Sequence, residues 1–138
     1  MASGEATRIL VVDDDVSLIR LMREALTSFL RCEVDTSPTP EYGFELALKK
    51  SYELFIFDFS MPMIDGAMLF FLIGKVYANA HPPRVVPPLV LVSAKGEDKR
   101  AQELLREPGV HGLLPKPFAI NRLLQKVKEC VPSVESIA

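Results

Sequence analysis

The sequence has no tryptophan, and its 138 residues include only two histidines and two cysteines. Cys32 and Cys130 are too few for a disulfide framework or a four-ligand zinc site. Two reduced thiols in a cytosolic protein are therefore expected. His81 lies in a proline-rich stretch and His111 precedes a short apolar segment. Neither has a ligand partner at useful spacing, so neither is a candidate catalyst.

Long apolar runs and basic runs are also missing. No segment approaches the roughly 20 apolar residues needed to cross a bilayer, and the N-terminus does not have the pattern of a signal peptide. The formal net charge is −2, and clustered cations are absent, which disfavours direct nucleic-acid binding. We expect a cytoplasmic protein that contacts neither membrane nor nucleic acid. The length fits one domain over residues 1–138, with a core from about 8 to 131.

Short apolar segments alternate with amphipathic ones along the chain. Continuous apolar runs of this kind are typical of strands covered on both faces, as in a parallel sheet. The predicted strands are Arg8–Val12, Glu33–Thr36, Leu54–Phe57, Leu89–Val92 and Gly112–Leu114. A helical pattern follows each of them. The alternation predicts an α/β fold, a doubly wound five-stranded parallel sheet with helices on both faces.

Local signals refine this prediction. In the first helix, Ile19, Met22, Leu26 and Phe29 recur at helical spacing and are predicted to face the core. Thr39 is predicted to cap the second helix with Pro40 in its first turn. Leu48 is assigned to the apolar face of that helix. Met61 and Met63 flank Pro62 in the loop after the third strand, and we expect both to pack.

Chemically active residues follow the predicted strands. Asp13 and Asp14 follow the first strand, Asp58 the third, Ser93 the fourth and Lys116 the fifth. The carboxyl ends of parallel strands meet at one edge of the sheet, where ligands bind in such folds. Each residue has a plainer explanation when taken alone, such as a helix-start acid or a solvated lysine. Their joint placement on one edge favours a common site.

This set of residues suits phosphoryl chemistry. Clustered carboxylates repel one another, and a hard divalent cation such as Mg²⁺ relieves the repulsion through oxygen ligands. A carboxylate can attack phosphorus and form an aspartyl phosphate. An ammonium and a hydroxyl can then contact the phosphoryl oxygens. Asp15 is predicted to serve the first helical turn instead.

Four segments carry a resemblance to a known family. They are Ile9–Asp15, Phe55–Gly66, Leu91–Ala94 and Pro115–Phe118, and each resembles a receiver-domain motif of two-component response regulators, the CheY-like superfamily. The resemblance extends from about Arg8 to Val131. It implies a flavodoxin-like strand order of 2-1-3-4-5. It also implies signalling by a phosphorylation-dependent conformational change rather than an enzyme activity.

The resemblance also assigns roles. Asp58 would accept a phosphoryl group from a sensor histidine kinase or a phosphotransfer protein. Asp14, Asp58 and the Ser60 carbonyl would bind Mg²⁺ directly, with Asp13 acting through water. Ser93 and Lys116 would contact the phosphoryl group, and the Lys116–Pro117 peptide would be cis. The amphipathic, basic helix after Ser93 adds a prediction of its own: a downstream protein would dock on the face formed by Asp98–Arg106, Leu113 and the last helix.

One position departs from the family pattern, and several alternatives stay open. Leu113 stands where the family often has an aromatic residue that moves on phosphorylation. Asp13-Asp14-Asp15-Val16-Ser17 also fits the D-x-D-x-[ST] pattern of haloacid-dehalogenase-like phosphohydrolases, although a later acidic pair is missing. A pseudo-receiver that binds partners without phosphorylation is a third possibility. The chain could be a single-domain regulator or a part of a longer one.

Overall fold

The computed structural model describes residues 6–94 and 98–137. The strands are β1 (Thr7–Val12), β2 (Cys32–Ser37), β3 (Leu54–Asp58), β4 (Leu89–Ser93) and β5 (Val110–Pro115). The helices are α1 (Val16–Phe29), α2 (Pro40–Lys49), α3 (Gly66–Ala78), α4 (Asp98–Leu104) and α5 (Ile120–Cys130). The side chain of Asp98 lies outside the described atoms, so its predicted place on the docking face has no structural account here.

The five strands form one parallel sheet in the order β2-β1-β3-β4-β5, which confirms the predicted topology. Side chains alternate along each strand, so every strand contributes to two cores. Leu10 and Phe57 face the core covered by α2, α3 and α4. Ile9 and Ile56 face the opposite core, which α1 and α5 cover. The site described below lies at the carboxyl edge between these layers.

Side-chain caps set the starts of three helices. The carboxylate of Asp15 accepts a hydrogen bond from the backbone N–H of Leu18 at 3.0 Å, as predicted for a residue serving the first turn. Thr39 caps α2, with Pro40 in the first turn, which confirms the second prediction. Asp65 caps α3 in the same way. Each cap satisfies a backbone donor that the helix leaves without a partner.

Three side chains predicted to pack are exposed instead. Phe29, the last residue of α1, is 54% exposed, and the next residue, Leu30, is buried in the core instead. Leu48 lies on the outer side of α2. Met63 is 88% exposed and has a left-handed backbone, φ 79°, which turns it out of the loop. The spacing of apolar residues predicts which side of a helix is apolar, but it does not show which of those side chains other elements cover.

The C-terminal segment packs further than Val131, where the core was expected to end. Leu30 and Ser136 form an antiparallel bridge, and the backbone N–H of Arg31 donates to the carbonyl of Glu135 at 2.7 Å. Val134 is buried in the same core as α1 and α5. Among the described residues, no helix is long and apolar enough to cross a membrane.

The proline-rich connection between α3 and β4 is held by Arg84. Its guanidinium lies 3.9 Å from the ring centroid of Tyr77. It also donates to the carbonyls of Leu48 and Lys50 at the end of α2, at 3.2 and 2.9 Å. These carbonyls belong to the last turn of a helix, where backbone acceptors lack intrahelical partners. One arginine thus ties the irregular connection to α2.

Candidate functional site

The structure brings the predicted residues to one edge of the sheet. Asp58 and Ser93 are the last residues of β3 and β4. Asp13 and Asp14 follow β1, and Lys116 follows β5. The strands are parallel and hydrogen-bonded in the order given above, so their ends lie side by side. Asp13, Asp58 and Ser93 are buried, while Asp14 is exposed.

Three carboxylates form a compact acidic cluster. One oxygen from each of Asp13, Asp14 and Asp58 lies within 4.8 Å of the others, a separation that could hold a metal ion. The backbone N–H of Asp15 donates to Asp13 at 2.9 Å and orients that carboxylate. Such close carboxylates repel one another unless a positive charge lies between them.

Lys116 supplies part of that charge. Its ammonium lies 3.0 Å from Asp13 Oδ2 and 3.4 Å from Asp58 Oδ1. The contact with Asp13 is an ion pair by distance rather than a directed hydrogen bond. The Lys116–Pro117 peptide is cis, as the family resemblance implied.

The protonation equilibria reflect burial and crowding. Burial raises the pKa of Asp58 to about 7, and the neighbouring Asp13 carboxylate adds to the increase. Burial also raises the pKa of Asp13, against the opposing effect of the Asp15 N–H and Lys116. For Lys116, burial alone would lower the pKa, but the two carboxylates outweigh it and the pKa is raised. The Lys116 ammonium therefore does not cancel the effects of burial and of the neighbouring carboxylate on Asp58.

Ser93 places an unpartnered hydroxyl at the same edge. Its Oγ is buried and has no hydrogen-bond partner within the part of the chain that the structure describes. A buried polar group without a partner is costly unless it serves a ligand. Ser60 lies exposed in the loop two residues after Asp58.

Two supporting backbone contacts were not predicted from the sequence. A Cβ on Gly66 would lie 2.3 Å from the carbonyl oxygen of Asp58, so the first turn of α3 rests directly on the acidic residue's backbone. The backbone N–H of Asp13 donates to the carbonyl of Ser37 at 3.1 Å, which fixes the end of β1. Asp65 followed by Gly66 is a pattern that predicts a helix start, but the neighbouring sequence does not predict the contact of Gly66 with Asp58.

Asp15 does not join the acidic cluster. Its carboxylate caps α1, as described above, and stays at the surface. The phosphohydrolase pattern needs the acids two residues apart to act together. Here the adjacent pair, Asp13 and Asp14, meets Asp58 instead.

The fold and the site together place the protein in a structural class, the CheY-like α/β domains with an acidic site at the carboxyl edge of the sheet. The sequence also matches a known protein family. The response regulator receiver domain matches residues 9–128, and the chain belongs to that family. Receiver domains belong to two-component signalling systems, as the motif resemblance indicated.

Individual relatives agree with this assignment. The chain is 27% identical over 124 residues to a probable chemotaxis protein CheY of Rhizobium etli, covering 89% of this chain and 91% of that one. It is 30% identical to the response regulator ArlR of Staphylococcus epidermidis, over 88% of this chain but only 51% of ArlR. The chain thus spans about half the length of that relative. The solved receiver domain of NtrX from Brucella abortus superposes with a TM-score of 0.74 at 25% identity, covering 91% and 98% of the two chains.

Proposed function

We propose that the chain is a single receiver domain in which Asp58 accepts a phosphoryl group from a sensor histidine kinase or a phosphotransfer protein. The main support for the proposal is that Asp58, Lys116 and Ser93 converge at one buried edge, where the Ser93 hydroxyl has no hydrogen-bond partner among residues 6–94 and 98–137. In the transfer, an Asp58 oxygen bonds to phosphorus while the bond from phosphorus to the donor nitrogen breaks. The donor imidazole keeps the electron pair.

Each neighbour has a part in this step. The Lys116 ammonium, 3.4 Å from Asp58, stabilises negative charge on the phosphoryl oxygens. The Ser93 hydroxyl, which has no partner among the described residues, donates a hydrogen bond to a phosphoryl oxygen. Asp13 holds Lys116 beside the acceptor through their ion pair at 3.0 Å.

The acidic cluster fits Mg²⁺. Asp14 and Asp58 would bind it directly, together with the carbonyl of Ser60, and Asp13 would act through water. The donor set consists of oxygens, which suits this hard cation. When bound, Mg²⁺ supplies the positive charge that the crowded carboxylates lack and polarises the phosphoryl oxygens.

An apolar groove beside the site supports docking of the phosphoryl donor. Its lining includes the apolar residues Leu18, Leu21, Phe118 and Ile120 and the charged residues Asp15 and Lys116. A donor histidine has to reach Asp58 from outside, so its domain needs a surface next to Lys116. The groove offers that surface on α1 and on the connection between β5 and α5.

The face formed by α4, β5 and α5 would carry the signal to a downstream protein. Arg100 on α4 lies 5.9 Å from the ring centroid of Phe59, the residue that follows the acceptor. Phe59 is buried in the core below α4. Leu113 is also buried and has no polar end, so it cannot alternate between solvent and a hydrogen-bonded site. We therefore expect Phe59 and α4 to carry a change at Asp58 to this face.

Phosphorylation with a small donor tests the proposal. Incubation with acetyl phosphate and Mg²⁺ should add one base-labile phosphoryl group, observed by intact-mass spectrometry, and Asp58→Asn should abolish it. Asp15→Asn is the matched control, since Asp15 lies near the pocket but caps α1, and it should be labelled like the wild type. If Asp58→Asn is labelled as well as the wild type while Asp13→Asn is not, the phosphohydrolase hypothesis is correct instead.

A further inference from the structure

Apolar side chains line an open groove between α2 and α3, on the surface of the layer that these helices form over the sheet. Glu41 and Phe44 of α2 line one side of the groove, and Leu69 and Leu72 of α3 line the other. Met63, in the loop before α3, lies at the groove as well. We call this surface the α2–α3 groove.

The two sides of the groove continue along their helices. Leu48 stands four residues after Phe44, and Val76 stands four residues after Leu72, so each lies on the groove side of its helix. Leu48, Leu72 and Val76 are each 38–41% exposed. From Pro40 to Leu48 the helix rises by about 12 Å, or roughly two turns. Two neighbouring apolar rows of that length form a surface against which a third helix can pack.

Met63 occupies a strained position beside the groove. It is 88% exposed, and its φ of 79° is one that a residue with a Cβ rarely adopts. Glycine would adopt the same backbone without that strain. The loop is closed at its base, where the N–H of Gly66 donates to the carbonyl of Phe59 at 2.9 Å. A strained residue that holds a large apolar side chain in solvent suggests a contact with another molecule.

The α2 side of the groove is acidic. Glu41 lines the groove, and over residues 6–94 and 98–137 no ion pair involves Glu41. Glu45 follows one turn later on the exposed surface, where its carboxylate lies 2.9 Å from the Lys49 ammonium. No lysine or arginine of the described chain lines the groove. A partner with cations beside its apolar side chains therefore complements this surface.

We propose that the α2–α3 groove binds an amphipathic helix of another protein, with lysine or arginine along one edge of its apolar face. Apolar residues of that helix at positions i, i+4 and i+7 would lie between the two rows. Met63 would cover one end of the contact, and Glu41 would pair with a cation. The groove has a volume of about 300 Å³, the lower limit for pockets that enclose a small molecule. It therefore suits the side chains of a partner.

The size of the contact sets the expected affinity. A helix in the groove would bury roughly 1,000 Å² in total, which is typical of weak, transient contacts. We therefore expect a Kd on the order of 10–100 μM. Binding at this surface does not depend on a phosphoryl group at Asp58.

A defined peptide tests the proposal. The probe is a fluorescein-labelled helical peptide of about 14 residues, with leucines on one face and lysines elsewhere, and its anisotropy is measured as the full chain is added. The same peptide with glutamates in place of the lysines should bind at least tenfold more weakly. Glu41→Lys should weaken binding of the lysine peptide at least tenfold. Glu24→Lys is the matched control, since Glu24 is an exposed acid on α1, and its Kd should match that of the wild type.

Two further variants separate the contact from the fold. Met63→Gly should raise Tm by about 2–5 °C, because glycine removes the strain, and should weaken peptide binding several-fold. Leu72→Glu should abolish binding with unchanged circular dichroism. Phe29→Glu alters an exposed apolar residue on α1, and it should bind the peptide like the wild type.

Three results would overturn the proposal. The first is a wild type that does not bind the lysine peptide at about 500 μM, and the second is equal binding by the wild type and Leu72→Glu. The third is a loss of binding in Asp14→Asn but not in Glu41→Lys, which would place the peptide at the acidic cluster. Equal affinity for the lysine and glutamate peptides would overturn the basic character of the partner.

Discussion

The buried carboxylate of Asp58 should cost the metal-free protein stability. Burial and the Asp13 carboxylate raise its pKa from 3.8 to about 7 in the folded state. The unfolded chain then binds fewer protons than the folded one between these values, so stability falls as pH rises from about 4 to 7. Replacement of Asp58 by Asn removes the charge while keeping the shape, and should stabilise the protein.

The structure sets the size of this effect. The difference between a pKa of 3.8 and one of about 7 corresponds to about 4 kcal/mol at pH 8. Lys116 loses one counter-ion in the variant but keeps Asp13 at 3.0 Å, which lowers the net gain. We expect Asp58→Asn to gain about 1–4 kcal/mol at pH 8, or roughly 3–4 °C in Tm per kcal/mol. At pH 4.5 most of the gain should disappear.

Thermal and urea unfolding in EDTA at pH 4.5 and 8 would measure it. Asp35→Asn is the matched control, for which the expected change in the free energy of unfolding has the opposite sign. Burial of Asp35 acts to raise its pKa, but the Tyr52 hydroxyl at 2.7 Å and the Lys50 ammonium at 3.1 Å outweigh it, and the pKa is lowered. Asp35→Asn should therefore destabilise by a similar amount at pH 8 and at pH 4.5, because both lie above 3.8 and the contribution is lost only below that value. The reasoning is refuted if Asp58→Asn is no more stable than the wild type at pH 8, or gains equally at both pH values.

The acidic cluster, the glycines of α3 and the segment after Ser93 can each be tested separately. Mg²⁺ at ten times its Kd should stabilise the protein by about 1.4 kcal/mol, and Asp14→Ala should reduce that gain in a thermal melt. Gly66→Ala should lose about 1–3 kcal/mol because its Cβ meets the Asp58 carbonyl. Gly74→Ala in the same helix meets a single atom at 3.7 Å and should gain up to about 1 kcal/mol in urea unfolding. With beryllofluoride, hydrogen exchange should change most from Ser93 to about Arg106 and little around Leu113; a largest change in α1 would place the output face elsewhere.

Local patterns determined the fold class and the members of the candidate site. Four of the five predicted strands end next to a chemically active residue, and strand direction follows from the alternation with helices. Asp58, Ser93 and Lys116 could therefore be placed on one edge from their positions in the chain. The Thr39 cap was equally local, because a capping residue acts within its own helical turn.

Tertiary structure alone decided which apolar faces are covered and how tightly the site packs. Phe29 and Met63 are as apolar as core residues, yet more than half of each residue is exposed. The pKa of Asp58 is raised first by burial and then by the carboxylate of Asp13, 45 residues away in the chain. The contact between Gly66 and the Asp58 carbonyl depends on how α3 leaves its loop. Distances between separate segments create burial, repulsion and exposed surface, and sequence spacing does not encode those distances.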